Sequence, residues 1–253
     1  MSNANLVIDR FEGQYEFLNN YYPCKIRTRS GMVFHSAEAF YQSCKLENPK
    51  ERERFTGDMD PAKAHELGKK IAIRHNWNII RDLAMRFVVM EKFFQNSELA
   101  KRLMETSPNR LINGNYNNDK FWGCIPVPIG ASDVWYGENH LGRILGDVRK
   151  ILLDDFGPGS PKELFDYPPS DTSIDDFIEY SLIYVDSSDW SDNERINHAV
   201  DLAWRYGGID GDHHQKWLVD QMLRTMLRPE EYADFVKEYE SNGDYEWETG
   251  IAP

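Results

Sequence analysis

Apolar residues recur at helical spacing most plainly between Asn78 and Phe94, where Ile79, Ile80, Leu83, Ala84, Phe87, Val88, Met90 and Phe94 share one broad face. A period of about 3.6 residues over that length predicts a long core helix, with Trp77 just before its start. Shorter patterns flank it. Residues 6–9 and 110–113 read as strands, and 24–29 with 32–35 as the arms of a hairpin turning at Ser30-Gly31. Helices are predicted over 49–55 and 61–70, each with proline in its first turn, and over 98–105, closed by Ser107-Pro108. Gly137-Glu138-Asn139-His140-Leu141-Gly142-Arg143 opens another helix, with Asn139 as its expected N-cap.

One predicted helix, Ser36 to Lys45, has a different pattern. Glu38, Gln42 and Lys45 fall at i, i+4 and i+7, so an acid, an amide and an amine share a face, with Ser36 placed to cap the first turn. A solvated stripe with an ordinary helix ion pair is one reading. Phe40, Tyr41 and Cys44 cover the rest of the helix, however, and an amine and a carboxylate held among aromatics invite shifted pKa values. Two loops add candidates. Residues 11–23 carry five aromatics, either a lid packed on the core or a platform for a planar ring. Residues 114–123 hold Asp119 and Trp122, either as a turn residue and a core anchor or as groups that a loop presents to a ligand. The glycines around Asn139, with Arg143, suit a helix N-terminus that offers N–H groups to a phosphate.

Composition narrows the class. The 253 residues are 41% hydrophobic, enough for a sizeable core, and no apolar run approaches the roughly 20 residues that span a bilayer. The N-terminus lacks a basic-then-apolar leader pattern, so a cytoplasmic location is expected. Cys24, Cys44 and Cys124 are too few and too scattered for a disulfide framework or a thiolate metal site. Charge is unevenly shared: residues 1–158 hold 22 Lys and Arg against 20 Asp and Glu (+2), and residues 159–253 hold 7 against 22 (−15). That asymmetry, with the Gly- and Pro-rich stretches at 156–161 and 167–171, divides the chain into a domain at 1–158, a linker at 159–172 and an acidic helical domain at 173–253. The acidic part should avoid nucleic acid and anionic membranes and is open to contact with another protein. Its helices are expected over 192–206, 213–227 and 230–239. His213 and His214 point about 100° apart on a helix, a poor arrangement for one metal ion.

Five segments of the first half together resemble the NADAR superfamily, which includes the YbiA-like riboflavin-intermediate N-glycosidases. They are Phe17-Leu18-Asn19-Asn20-Tyr21-Tyr22-Pro23, the Glu38-to-Lys45 helix, Asn76-Trp77, Asn118-Asp119-Lys120-Phe121-Trp122-Gly123 and Gly137-Glu138-Asn139-His140-Leu141-Gly142-Arg143. The family commonly has Ser where Asn19 stands and His where Ala39 stands, differences that bear on substrate preference. The tail is similar to a small domain common in bacteriophage proteins, through residues 213–222 and 245–253.

The resemblance implies a mainly helical α+β domain with a small sheet that cleaves N-glycosidic bonds of nucleotide-like substrates. ADP-ribose on guanine, in DNA or in nucleotides, is the expected substrate, and riboflavin-pathway intermediates are the alternative. Glu38, Lys45 and Asp119 are the implied catalytic residues. Trp77, Trp122, Asn139 and Gly142 match further functional positions of the family, and Phe17, Asn20, Tyr41, Gln42, Gly137 and Arg143, in the same segments, complete the expected substrate contacts. Two carboxylates would stabilise an oxocarbenium-like centre and move a proton, or Lys45 would attack the anomeric carbon and open the ring as an imine. Neither route needs a metal or cofactor. A module that reads ADP-ribose without cleaving it is the rival from another class, and such a reader has no use for the reactive groups.

Overall fold

Helix α4 (Trp77–Phe94) forms where the apolar periodicity predicts it, and Ala84, Phe87, Val88 and Phe93 on it are almost wholly buried. The computed structural model describes residues 6–75, 77–129, 132–158, 164–169, 173–174, 232–234 and 237. By contacts the chain falls into two compact units, residues 1–77 with 81–169 and residues 78–80 with 170–253. Of the helices expected in the acidic tail, 192–206 and 213–227 lie outside the described residues, as do the His213-His214 pair and the phage-like segments, while 230–239 is described at 232–234 and 237, which are helical.

The first unit is an α+β fold dominated by helices. Its strands form three two-stranded sheets. β1 (Val7–Ile8) runs parallel to β4 (Arg110–Leu111). β2 (Pro23–Arg27) pairs antiparallel with β3 (Val33–Ser36), and β5 (Ile125–Ile129) with β6 (Ser132–Tyr136). The last ribbon is not legible in the apolar pattern, because Pro126 and Pro128 interrupt it. Both strands of a two-stranded ribbon are edges, where a residue without an N–H is tolerated. The other helices are α1 (Ala37–Ser43), α2 (Pro49–Arg52), α3 (Pro61–Gly68), α5 (Ser97–Glu105) and α6 (His140–Phe156). Among the described residues, no helix is long and apolar enough to cross a membrane.

Phe34 of β3 stacks on Phe40 of α1 at 4.6 Å, and Phe40 meets the edge of Phe87 on α4 at 6.1 Å. The hairpin, α1 and α4 thus close on one aromatic core, each buried ring contributing about 2–3 kcal/mol. The expected helix over 49–55 is instead α2 followed by a 3₁₀ turn, Glu53–Phe55.

Part of the segment expected as a linker docks on this unit. Tyr167 sets its ring against Phe94 at 5.5 Å and Phe156 at 5.7 Å, and its N–H donates to Phe94 O at 2.9 Å. Asp166 Oδ1 accepts from Ser97 N at 2.7 Å. Proline content marked this stretch as a spacer, but its aromatic residue finds an apolar seat.

Candidate active site

All seven residues of α1 are buried. Ser36 caps the helix, its hydroxyl accepting from Ala39 N at 3.1 Å. The stripe of Glu38 and Gln42 is therefore no solvated face: they are 6% and 3% exposed. Their seclusion comes from α3, which packs along α1. α3 turns Ala64 and Gly68 inward, and a Cβ on Gly68 would stand 1.8 Å from Gln42 Oε1, so the helices approach closely only because that position is glycine.

Within this contact Glu38 Oε1 accepts from Gln42 Nε2 at 2.8 Å and lies 2.7 Å from His65 Nδ1 of α3. Both contacts fall on the same oxygen, which leaves Oε2 to meet a substrate or water. Lys45 follows α1, its ammonium donating to Gly68 O at 3.3 Å and lying 5.9 Å from the Trp77 ring centre. Burial holds the Lys45 pKa below the ordinary lysine value; Glu38 partly restores it, and Lys69 lowers it further. Tyr21, at the end of the aromatic loop, places its ring 6.2 Å from that of His65. Burial, then the charges of Glu38, Glu66 and Asp60, push its hydroxyl up to about 12, so it remains a proton donor.

Aromatic rings wall the same place. Tyr41 lies 5.2 Å from Trp77 and 5.6 Å from Trp122, ring centre to ring centre. Burial, with Cys44 and Glu38 next in order, keeps the Tyr41 hydroxyl well above its usual pKa. Trp122 is fixed from behind by Phe121 at 4.8 Å and His140 at 6.1 Å. His140 stacks on Phe121 at 4.1 Å, with its Nδ1 2.7 Å from Asp82 Oδ1 and its Nε2 2.9 Å from Glu138 Oε2. Arg81 sits 3.6 Å over Phe121.

The structure thus gathers Glu38, Gln42, Lys45, Tyr41, Trp77 and Trp122. Asp119 is arranged differently. Its Oδ1 accepts from Phe121 N at 3.1 Å and Trp122 N at 2.9 Å, the turn arrangement weighed as one reading of this loop. It has no hydrogen bond or ion pair with Glu38 or Lys45 among the described residues; Trp122, whose N–H it accepts, is the ring that meets Tyr41 of α1. Phe17 is core, 2% exposed, with its ring 6.5 Å from Phe93 and 4.1 Å from the Arg102 guanidinium. Asn20 is buried too, and its carbonyl accepts from Glu38 N at 2.9 Å, so it supports α1 by its backbone. Of the aromatic loop it is Tyr21 that faces the Glu38 group.

The α6 terminus also departs from expectation. Asn139 precedes the helix in a left-handed conformation (φ 54°) without capping it by its side chain. Its amide instead links two strand-end groups, accepting from Asn113 N at 2.9 Å and donating to Leu111 O at 2.9 Å. The N–H groups of Glu138, Asn139, His140 and Leu141 are donated to the carbonyls of Lys120, Gly123, Phe121 and Trp122. They hold the Trp122 loop and are not free for a phosphate. Gly137 and Gly142 permit this close approach: a Cβ on either would come within 2.5 Å of a backbone carbonyl. Arg143 donates to Glu138 O and borders a cavity together with Arg110 and Arg149.

Sequence reading missed His65, Tyr21 and the His140 cluster. A signal for His65 existed, since Pro61, Ala64, His65 and Gly68 share the inward face of α3, but nothing local says that this face meets Glu38. Among the described residues no group of three or more His, Cys, Asp and Glu side chains is placed to hold a metal.

The sequence model of the NADAR domain family matches residues 9–153. A Vibrio vulnificus protein named a riboflavin biosynthesis protein is 36% identical over 196 residues, covering 77% of this chain and 48% of its own length. This chain therefore spans about half of that relative. The protein named N-glycosidase YbiA of Escherichia coli (strain K12) is 28% identical over 133 residues, 52% of this chain and 76% of its own. The NMR structure of E. coli YbiA aligns with a TM-score of 0.48 at 25% identity, covering 60% of this chain and 90% of that one. With its family model matched across more than half of the 253 residues, the chain belongs to the NADAR domain family.

Proposed function

We propose that the Glu38 site is an N-glycosidase centre, cleaving the bond between a ribose anomeric carbon and a base nitrogen in a nucleotide-like substrate. The observation that carries this is the Glu38 carboxylate, buried, oriented through one oxygen by His65 and Gln42, and flanked by an amine and two indoles. Relatives bearing the N-glycosidase name support it.

As the C–N bond breaks, its electron pair departs with the base and positive charge develops at the anomeric carbon. Glu38 Oε2 faces that charge or takes the proton of the attacking water. His65, bonded to the other oxygen, fixes the carboxylate's rotation. Trp77, Tyr41 and Trp122 offer ring faces and edges for a base. Asp119 acts as a positioning residue, holding the Trp122 backbone. In the covalent variant the Lys45 amine, which burial makes easier to deprotonate, bonds to the anomeric carbon and water later hydrolyses the imine.

ADP-ribose on guanine is the substrate expected of this site. A second reading, cleavage of riboflavin-pathway intermediates, is favoured by the name of the Vibrio relative. Product formation from ADP-ribosylated guanine oligonucleotide, ADP-ribosyl-guanosine and a riboflavin-pathway N-glycoside, each with Glu38→Gln as control, decides between them. Release of base from none of the three, or equal release by Glu38→Gln, overturns the proposal. Borohydride trapping decides the Lys45 route: adduct should increase as pH rises toward the ordinary lysine value, and turnover without adduct eliminates it.

A further inference from the structure

We infer that the cavity beside the first turns of α6 is a second binding site, one that takes a phosphate group. It is independent of cleavage at Glu38. The cavity measures about 410 Å³, within the size range of small-molecule sites, and its border includes Arg110 of β4 and Arg143 and Arg149 of α6. Among the described residues none of these three is paired with a carboxylate: the nearby acid, Glu138, directs its own to His140 Nε2 at 2.9 Å.

The guanidinium groups that do have partners are oriented by neutral acceptors. One nitrogen of Arg149 donates to Thr106 Oγ1 at 2.9 Å and Asn109 O at 2.7 Å, and Arg143 is tied to the Glu138 carbonyl. Carbonyls and hydroxyls fix direction without cancelling charge. Three positive charges around one concavity, two of them held in direction, form a receptor for a phosphate, which guanidinium planes bind bidentately.

The floor of the cavity carries an independent sign. Gly142 is required by packing, since a Cβ there would meet Leu111 O at 2.5 Å. Gly146, one turn later, is not: a Cβ there would meet nothing within 4 Å. A glycine inside a helix costs about 0.5–1 kcal/mol relative to alanine, and no local contact requires one here. An open floor under the three arginines accounts for it.

The phosphate could arrive on a free phosphorylated metabolite or as part of a nucleic-acid backbone, and the test separates these sources. Calorimetric titration of the full chain with inorganic pyrophosphate, ADP and a 12-nucleotide single-stranded DNA, at low and at moderate salt, is the measurement. Pyrophosphate should bind the wild type. Arg110→Gln should weaken it about tenfold or more, and Gly146→Glu, which sets a carboxylate in the cavity, should abolish it. Both variants should keep the wild-type circular dichroism. DNA binding tighter than ADP, with the steeper salt dependence, assigns the site to a backbone; the reverse order assigns it to a metabolite. Absence of binding by all three probes, or binding unaltered in both variants, overturns the inference.

Discussion

Gly68→Ala tests the packing on which the Glu38 site rests. By helix propensity alone alanine should stabilise the last turn of α3 by up to about 1 kcal/mol, since this glycine has no left-handed backbone to protect. The structure reverses that sign. The added Cβ would lie 1.8 Å from Gln42 Oε1, 2.6 Å from its Cδ and 3.2 Å from its Cβ. Gln42 is 3% exposed and cannot swing aside without releasing Glu38 Oε1, which it now binds at 2.8 Å. Losing a hydrogen bond to a carboxylate costs about 1.5–3 kcal/mol, and separating two packed helices about 1–3 kcal/mol. The net effect is a destabilisation of about 2–4 kcal/mol, a fall in Tm on the order of 5–15 °C. Urea unfolding read by circular dichroism measures it, and kcat should fall more than KM changes, because Glu38 loses one of its two orienting partners. A Gln42→Ala background isolates the cause: there the second substitution should cost about 1 kcal/mol or less, a coupling of at least about 1 kcal/mol. A Gly68→Ala protein as stable as wild type, or an equal cost in both backgrounds, would show that Gln42 does not set the approach of the two helices.

Asn139→Ala should destabilise by about 2–4 kcal/mol, since Asn113 N and Leu111 O lose their partner and alanine must adopt a positive φ. Asn139→Gly should recover about 1 kcal/mol of this by removing the backbone strain, and thermal unfolding of the pair checks both figures. Lys92 is wholly buried, donating to Phe17 O at 2.7 Å and Asn19 O at 2.9 Å, and burial lowers its pKa to about 8. An unfolded lysine keeps its proton to about pH 10.4, so between these values the unfolded chain binds more protons and stability rises with pH, by up to about 1.4 kcal/mol per unit. Urea midpoints at pH 8 and 9.5 should increase in wild type relative to Lys92→Met, and a constant difference would contradict the shift. Gly146→Ala, which meets no neighbour, should add about 0.5–1 kcal/mol of stability; a loss in the same unfolding assay would show that the position is strained.

Much of the framework was legible along the chain because its causes are local. The apolar repeat of α4, the prolines opening α2 and α3 and the capping serine before α1 act over a few residues, and each element formed close to where they place it. The acid, amide and amine of the Glu38 stripe were visible at helical spacing for the same reason. The β5–β6 ribbon was hidden because its prolines erase the strand pattern, and Asn139 looked like a cap because its residue type suits one.

What the chain could not disclose is which surfaces meet. The amide of Gln42 is spaced to reach Glu38 within one helix, yet His65 reaches it only because α3 lies flush on α1 over a glycine 26 residues away from Gln42. Asp119 and Asn139 show the converse: their chemistry is plain from the sequence, but backbone groups take one oxygen of Asp119 and both ends of the Asn139 amide. Local pattern was enough for the elements, the inventory of reactive groups and the uneven charge. Packing between segments settled whether each group meets a neighbouring N–H or keeps an oxygen without one, because burial and partner geometry depend on contacts that local pattern does not encode.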